Sequence, residues 1–273
     1  MKLRVVSRVA IPLMLAGVVG CTSVQTTGAG DVGVARNQYM SGLVSEAQVE
    51  QAAAQQYAQT LNEARAGGAL NTNAAVVNRV RNISQRLIAQ VPAFRQDAAK
   101  WDWQVNVISS DEVNAWCMPG GRIAVYTGLI DRLKPSDDEL AAVIGHEIAH
   151  ALREHTREQM SQQMASNVGL SILGAVTGNA AVADLGGQLS QVMFGLPKSR
   201  QAETEADAIG VELAARAGYD PRAAVTLWQK MSSLGSGQVE ILSTHPSPAT
   251  RINDLKVMSE KVVPAYEQAK GRR

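Results

Sequence analysis

Six consecutive positions, Gly145-His146-Glu147-Ile148-Ala149-His150, carry the strongest chemical signal in a chain of 273 residues that holds only four histidines. Two histidines four apart on a helix stand one turn up from each other, roughly 6 Å along the axis and about 40° round it. Both imidazoles can therefore reach one ion. Glu147, beside the first of them, can hold a water on that ion without binding it, which is the mechanical content of the His-Glu-x-x-His spacing. Zinc suits two neutral imidazoles and one carboxylate, with a fourth position left open for water. His155 cannot complete the set from the same helix. Nine residues carry it about 180° round from His146, so it is expected to be structural or exposed.

The third ligand has to come from elsewhere, and the acid-rich stretch Arg200-Gln201-Ala202-Glu203-Thr204-Glu205-Ala206-Asp207 is the candidate. Glu203 and Asp207 are four apart on one helical face, so Glu203 can bind the ion while Asp207 orients a ligand histidine from behind it. Glu205 points elsewhere by the same geometry. Acidic residues near a helix start are also ordinary partners of the helix dipole, and spacing alone leaves both roles open for Glu203. Further on, His245 lies on a Pro-flanked loop. It can approach the metal and occupy the open position, or donate to the oxyanion of the reaction, as Arg251 can. A turn histidine and a helix-start arginine paired with an acid is the plainer alternative.

These residues need elements to hold them. Ser136-Asp137-Asp138-Glu139 is a capping box opening a helix expected to run through His155. Ser45 to Ala66 and Asn73 to Gln90 read as helices, the second from the spacing of Val76, Val77, Val80, Ile83, Leu87 and Ile88. Trp101 to Ile108 alternates as a strand does, and Gly121 to Tyr126 is a second extended stretch. Helices are expected from Ser199 to Ala217, Pro221 to Leu234 and Ser247 to Val262. The Gly/Ala-rich run Val168 to Gly187 suits a helical hairpin, packed or lid-like. Residues 22–40, rich in Thr, Gly and Ser without periodicity, read as a tether. The fold class is α+β, mainly helical, with a small sheet ahead of the metal helix.

Composition bounds the rest. With 45% hydrophobic residues the chain can bury a sizeable core, and a net charge of +1 without a basic stripe argues against nucleic-acid binding. Two cysteines exclude a disulfide scaffold. Residues 1–20 have the basic start and short apolar run of a secretory signal, ending in small residues at Cys21, as in bacterial lipoproteins. Cleavage there removes Lys2, Arg4 and Arg8, turns the net charge to −2 and leaves Cys117 as a lone thiol. The expected organisation is a signal over 1–20, a lipidated N-terminus and tether over 21–44, and a catalytic domain over 45–273.

His146-Glu147-x-x-His150 followed by Glu203-x-x-Ala206-Asp207 resembles the HtpX-like and CAAX prenyl protease-like zinc metallopeptidases. Asn114 to Leu129, and His245-Pro246-Ser247-Pro248-Ala249-Thr250-Arg251-Ile252, match the family's patterns in the same order. The resemblance implies a zincin-like fold and one zinc per chain held by His146, His150 and Glu203. It also implies Glu147 as general base and Asp207 in support. Similarity to membrane-tethered periplasmic members implies quality control of unfolded or misassembled outer-membrane proteins and contact with their assembly machinery. The lipobox-like residues before Cys21 imply a lipid anchor on that cysteine, and Thr22 rather than Asp after it implies the outer membrane. If Gly121–Tyr126 is a sheet edge, it can align a substrate backbone through Asn114, Gly121, Ile123 and Val125. The alternative function is an assembly factor or chaperone whose zinc site is mostly latent.

Overall fold

A computed structural model describes residues 21–174, 185–234, 239–245 and 250–271. Its helices begin where the sequence caps them. Ser45 closes a capping box with Gln48 and opens α1, Glu46–Ala66, and the Asn73 side chain accepts from Ala75 and Val76 at the start of α2, Ala74–Ile88. The chain then forms β3, Gln104–Ile108, β4, Ala115–Met118, and β5, Arg122–Tyr126. A short helix, α3, Thr127–Leu133, leads to α4, Asp137–Leu152, which is capped by Ser136 and Glu139 as expected. After it come α5, His155–Gly174, α6, Leu185–Ser190, α7, Arg200–Arg216, α8, Ala223–Leu234, α9, Ile241–Thr244, and α10, Arg251–Lys270.

The sheet has the order β3-β5-β4, with β5 parallel to β3 and antiparallel to β4. Successive side chains leave a strand on opposite faces, and both faces here are covered. Ala115, Cys117, Ile123 and Val125 point into the larger core, shared with α2, α4, α7, α8 and α10. Trp116, Met118 and Ala124 point the other way, into a second core beneath α1, α5 and α6. The β5 strand is therefore central, bonded on both sides, and the expectation that it forms a substrate-aligning edge through Gly121, Ile123 and Val125 is corrected. The free edge beside α4 belongs to β4, a strand that periodicity did not single out.

Three other expectations change. The α4 helix stops at Leu152, because Glu154 takes a left-handed backbone (φ 50°), and His155 starts a new helix. Residues 22–40 are not a free tether. They form an arm in which β1, Cys21–Val24, pairs with β2, Gln38–Ser41. The arm is sewn to the body by Gly28 N donating to Phe94 O and Val32 N donating to Glu212, so no structural break falls between 44 and 45. The helix expected from Ser247 begins at Arg251, and residues 246–249 lie outside the described residues, as do the signal segment 1–20 and 175–184 of the hairpin. Among the described residues no helix is long and apolar enough to cross a membrane.

The close approach of α4 to α7 positions the site. Gly145 and Gly210 face each other at the crossing. A Cβ on Gly210 would lie 2.8 Å from His146 N, and one on Gly145 would lie 2.9 Å from Gly210 O. Only glycine at both positions lets the two helices carry their polar side chains to a common point.

Candidate metal centre and cleft

His146 and His150 project from α4 on consecutive turns, and Glu203 projects from the first turn of α7; all three are buried. His146 Nε2 and His150 Nε2 lie 3.1 Å apart. Glu203 Oε1 is 3.3 Å from His150 Nε2, and Oε2 is 3.6 Å from His146 Nε2. Two atoms bound to zinc at about 2.1 Å and a tetrahedral angle stand roughly 3.4 Å apart. The two imidazole nitrogens and the Glu203 carboxylate, which turns one oxygen towards each histidine, therefore stand near the separations a zinc ion asks for. Glu203 Oε1, Glu147 Oε1 and His245 Nε2 are buried without a hydrogen-bond partner. Buried acceptors facing one another are costly unless a cation sits among them, so the residues fit the metal their spacing suggested.

Supporting groups stand behind the ligands. Asp207 Oδ1 lies 3.0 Å from His146 Nδ1, on the side away from the donor nitrogen. Arg251 donates to Asp207 at 2.7 and 2.8 Å and to Glu203 at 3.0 Å, and its guanidinium stacks on Trp228. Burial works against ionising Asp207, yet Arg251 and His146 outweigh it and hold its carboxyl below the usual range. Arg251 is thus committed to two carboxylates and does not line the cleft. Of the two readings of Arg251, an oxyanion donor or an arginine paired with an acid, these contacts favour the second.

The cleft in front of the ligands encloses about 430 Å³ and is lined by Asn114, Trp116, Glu147, His150, Lys198 and His245, among others. Burial pushes the Glu147 carboxyl up to about 7, with Glu203 adding to the shift and His146 opposing it. His245 caps α9. Its Nδ1 lies 3.1 Å from Ile241 O and 3.0 Å from the Thr244 hydroxyl, while Nε2 has no hydrogen-bond partner. That Nε2 stands 3.6 Å from Glu147 Oε1 and belongs to one cluster with the donor atoms of His146, His150 and Glu203, all within 4.8 Å of one another. Asn114 lies at the cleft beside β4, whereas Gly121, Ile123 and Val125 do not line it. Cys117 is buried at the cleft floor, and burial raises its thiol well above the ordinary value.

Two groups escaped sequence reasoning. Lys198 is buried at the cleft, donates to Val192 O at 3.1 Å, and is lowered by burial to about 8. A lysine just before a helix gives no sign that the fold will close over it. Glu205 is the second. It does leave the ligand face of α7, as expected, but it meets Arg153 and His155 there. Finding that pair required knowing that α4 breaks at Glu154.

Comparison with known proteins agrees with this geometry. Residues 74–259 match the model of Peptidase family M48. The chain is 41% identical over 174 residues to the mitochondrial metalloendopeptidase OMA1 of Arabidopsis thaliana, covering 62% of this chain and 35% of that protein. It is 36% identical over 202 residues to OMA1 of Danio rerio, covering 68% and 41%. To the beta-barrel assembly-enhancing protease of Escherichia coli it is 27% identical over 220 residues, covering 77% and 44%. The chain thus spans between about a third and about half the length of the curated relatives it matches. A family match running from the start of α2 to the middle of α10, over a buried His-His-Glu cluster, leaves one conclusion: the chain belongs to Peptidase family M48.

Proposed function

We propose that the protein is a zinc-dependent endopeptidase acting on extended or unfolded polypeptides. The observation that carries this reading is Glu147, a buried carboxylate with a free oxygen at the mouth of a three-ligand site. A structural zinc site is closed by four protein ligands and needs no base beside it. When bound by His146, His150 and Glu203, zinc supplies a Lewis acid that polarises the scissile carbonyl and makes water acidic near neutral pH. Glu147 takes the proton of the attacking water at its unpartnered oxygen and returns it to the departing amine. The β4 edge, with Asn114 beside it, can accept a substrate segment as a further strand, which favours extended chains over folded ones.

His245 gives a specific reason for a second state. Its free Nε2 fits the fourth ligand position, where it would displace water and keep the site latent. His245→Ala is then expected to raise basal cleavage several-fold; a fall would assign His245 to the oxyanion instead. A latent site also fits the holding role of an assembly factor or chaperone.

The cellular reading is that substrates are misassembled envelope proteins, reached from a lipid anchor at Cys21 on the periplasmic side of the outer membrane. The leader-like residues 1–20 and the similarity to a beta-barrel assembly-enhancing protease support it. Zinc-loaded protein mixed with an unfolded outer-membrane polypeptide should yield discrete fragments by mass spectrometry, and a chelator should stop the reaction. The same polypeptide folded into its barrel should survive. Equal cutting of both forms would contradict the preference for extended chains.

A further inference from the structure

The break after α4 brings a fourth histidine to the back of the metal centre. His155 is buried, and its Nδ1 lies 2.8 Å from Nδ1 of His150. On its far side Nε2 is 3.2 Å from Glu205 Oε2. Glu205 also accepts from Arg153 at 2.8 and 2.9 Å, and Arg36 of the N-terminal arm closes on it as well as on Glu158. The hydrogen bonds in this chain have only one consistent direction. An ionised carboxylate can only accept, so His155 Nε2 carries a proton and donates it to Glu205. His150 turns its Nε2 towards His146 and Glu203, so as a zinc ligand it keeps the lone pair there and carries its proton on Nδ1, which donates to Nδ1 of His155.

We propose that His155 and Glu205 are positioning residues that fix the tautomer and ring orientation of His150, with Arg36 anchoring the pair from the N-terminal arm. The relay rests on reading His150 as a zinc ligand. It makes the arm part of the metal centre, because the carboxylate at the end of the relay is held from both sides, by Arg153 of the body and Arg36 of the arm. Glu158, which accepts from Arg36 and from Gln38 at 3.0 Å, locks the arm in that place.

The test is zinc affinity, measured by competition with a chromophoric chelator on the full chain. Glu205→Gln is the informative variant, since a carboxamide can donate as well as accept and no longer dictates which nitrogen of His155 is protonated. Outer partners of metal-bound histidines are worth about 10–100-fold in affinity. Glu205→Gln and His155→Phe are expected to lose an amount in that range, and Arg36→Met a smaller amount that Arg36→Lys partly restores. A purely structural role would lower the melting temperature and leave zinc affinity unchanged, which would overturn the proposal. A second measurement needs no variant. Histidine ¹⁵N shifts of the zinc-free protein should show His150 protonated on Nδ1, and protonation on Nε2 would overturn the relay. A wild-type chain that takes up no zinc would instead overturn the metal site, and the relay with it.

Discussion

A carboxylate is a useful base only where its proton affinity is raised and one oxygen is free, and Glu147 meets both conditions in the metal-free cleft. The ligands are held from behind by charge. Arg251→Met removes the donors to Asp207 and Glu203, so zinc affinity should fall about 10–100-fold; chelator competition giving the wild-type value would contradict the bracing role. Glu205 gives a prediction in pH. Burial works against its ionisation, but bonds from His155 and Arg36 and the charge of Arg153 overcome that and bring it from an ordinary 4.5 to about 2. Because the folded value is the lower one, the stability it contributes is present above about pH 4.5 and is lost as the pH falls towards 2. The gap in melting temperature between the zinc-free protein and Glu205→Gln should narrow over that window, and a constant gap would count against it. At this scale the spacing within single helices foretold that His146 and His150 would stand together and that Glu203 and Asp207 would share a face, while the choice of Glu203 to join the histidines needed the family resemblance. For Arg251 the sequence left two readings open, and the partners of Lys198 and Glu205 depend on what tertiary packing places opposite them.

Between elements, the decisive contact is the glycine crossing of α4 and α7. Gly210→Ala would set a methyl 2.8 Å from the backbone nitrogen of His146, and neither backbone can yield without moving a ligand. The expected result is a loss of about 1–3 kcal/mol in stability, read by denaturant unfolding, together with weaker zinc binding. Wild-type values for both would mean the helices can part freely. The capping box at Ser136 announced the start of α4, since a cap is a local hydrogen bond, while composition and apolar spacing marked α1 and α2, which also begin on caps at Ser45 and Asn73. The end of α4 was not announced. Glu154 adopts its left-handed turn while its carboxylate is taken by Arg95 and Arg157, the first from a distant segment. The β4 strand was hidden for a related reason: it is buried on both faces, so Ala115-Trp116-Cys117-Met118 lacks the alternation that marks a half-exposed strand.

For the whole molecule, one sheet with helices on both faces separates two cores, and the cleft opens where the β4 edge meets the metal helix. The N-terminal arm closes the far side and ties residues 26–41 to α5 and α7 through Arg36, Gln38 and Arg153. Composition suggested a tether there because Thr- and Gly-rich segments look alike whether they hang free or lie along a surface. The account as a whole depends on Glu147 acting at a metal site that His146, His150 and Glu203 hold. The most direct measurement follows cleavage of an unfolded outer-membrane polypeptide by the zinc-loaded protein and by Glu147→Gln, with bound zinc quantified in both. The account predicts one zinc per chain in each, discrete fragments from the wild type, and a rate at least about 100-fold lower from the variant. Equal cleavage by the two proteins would contradict it.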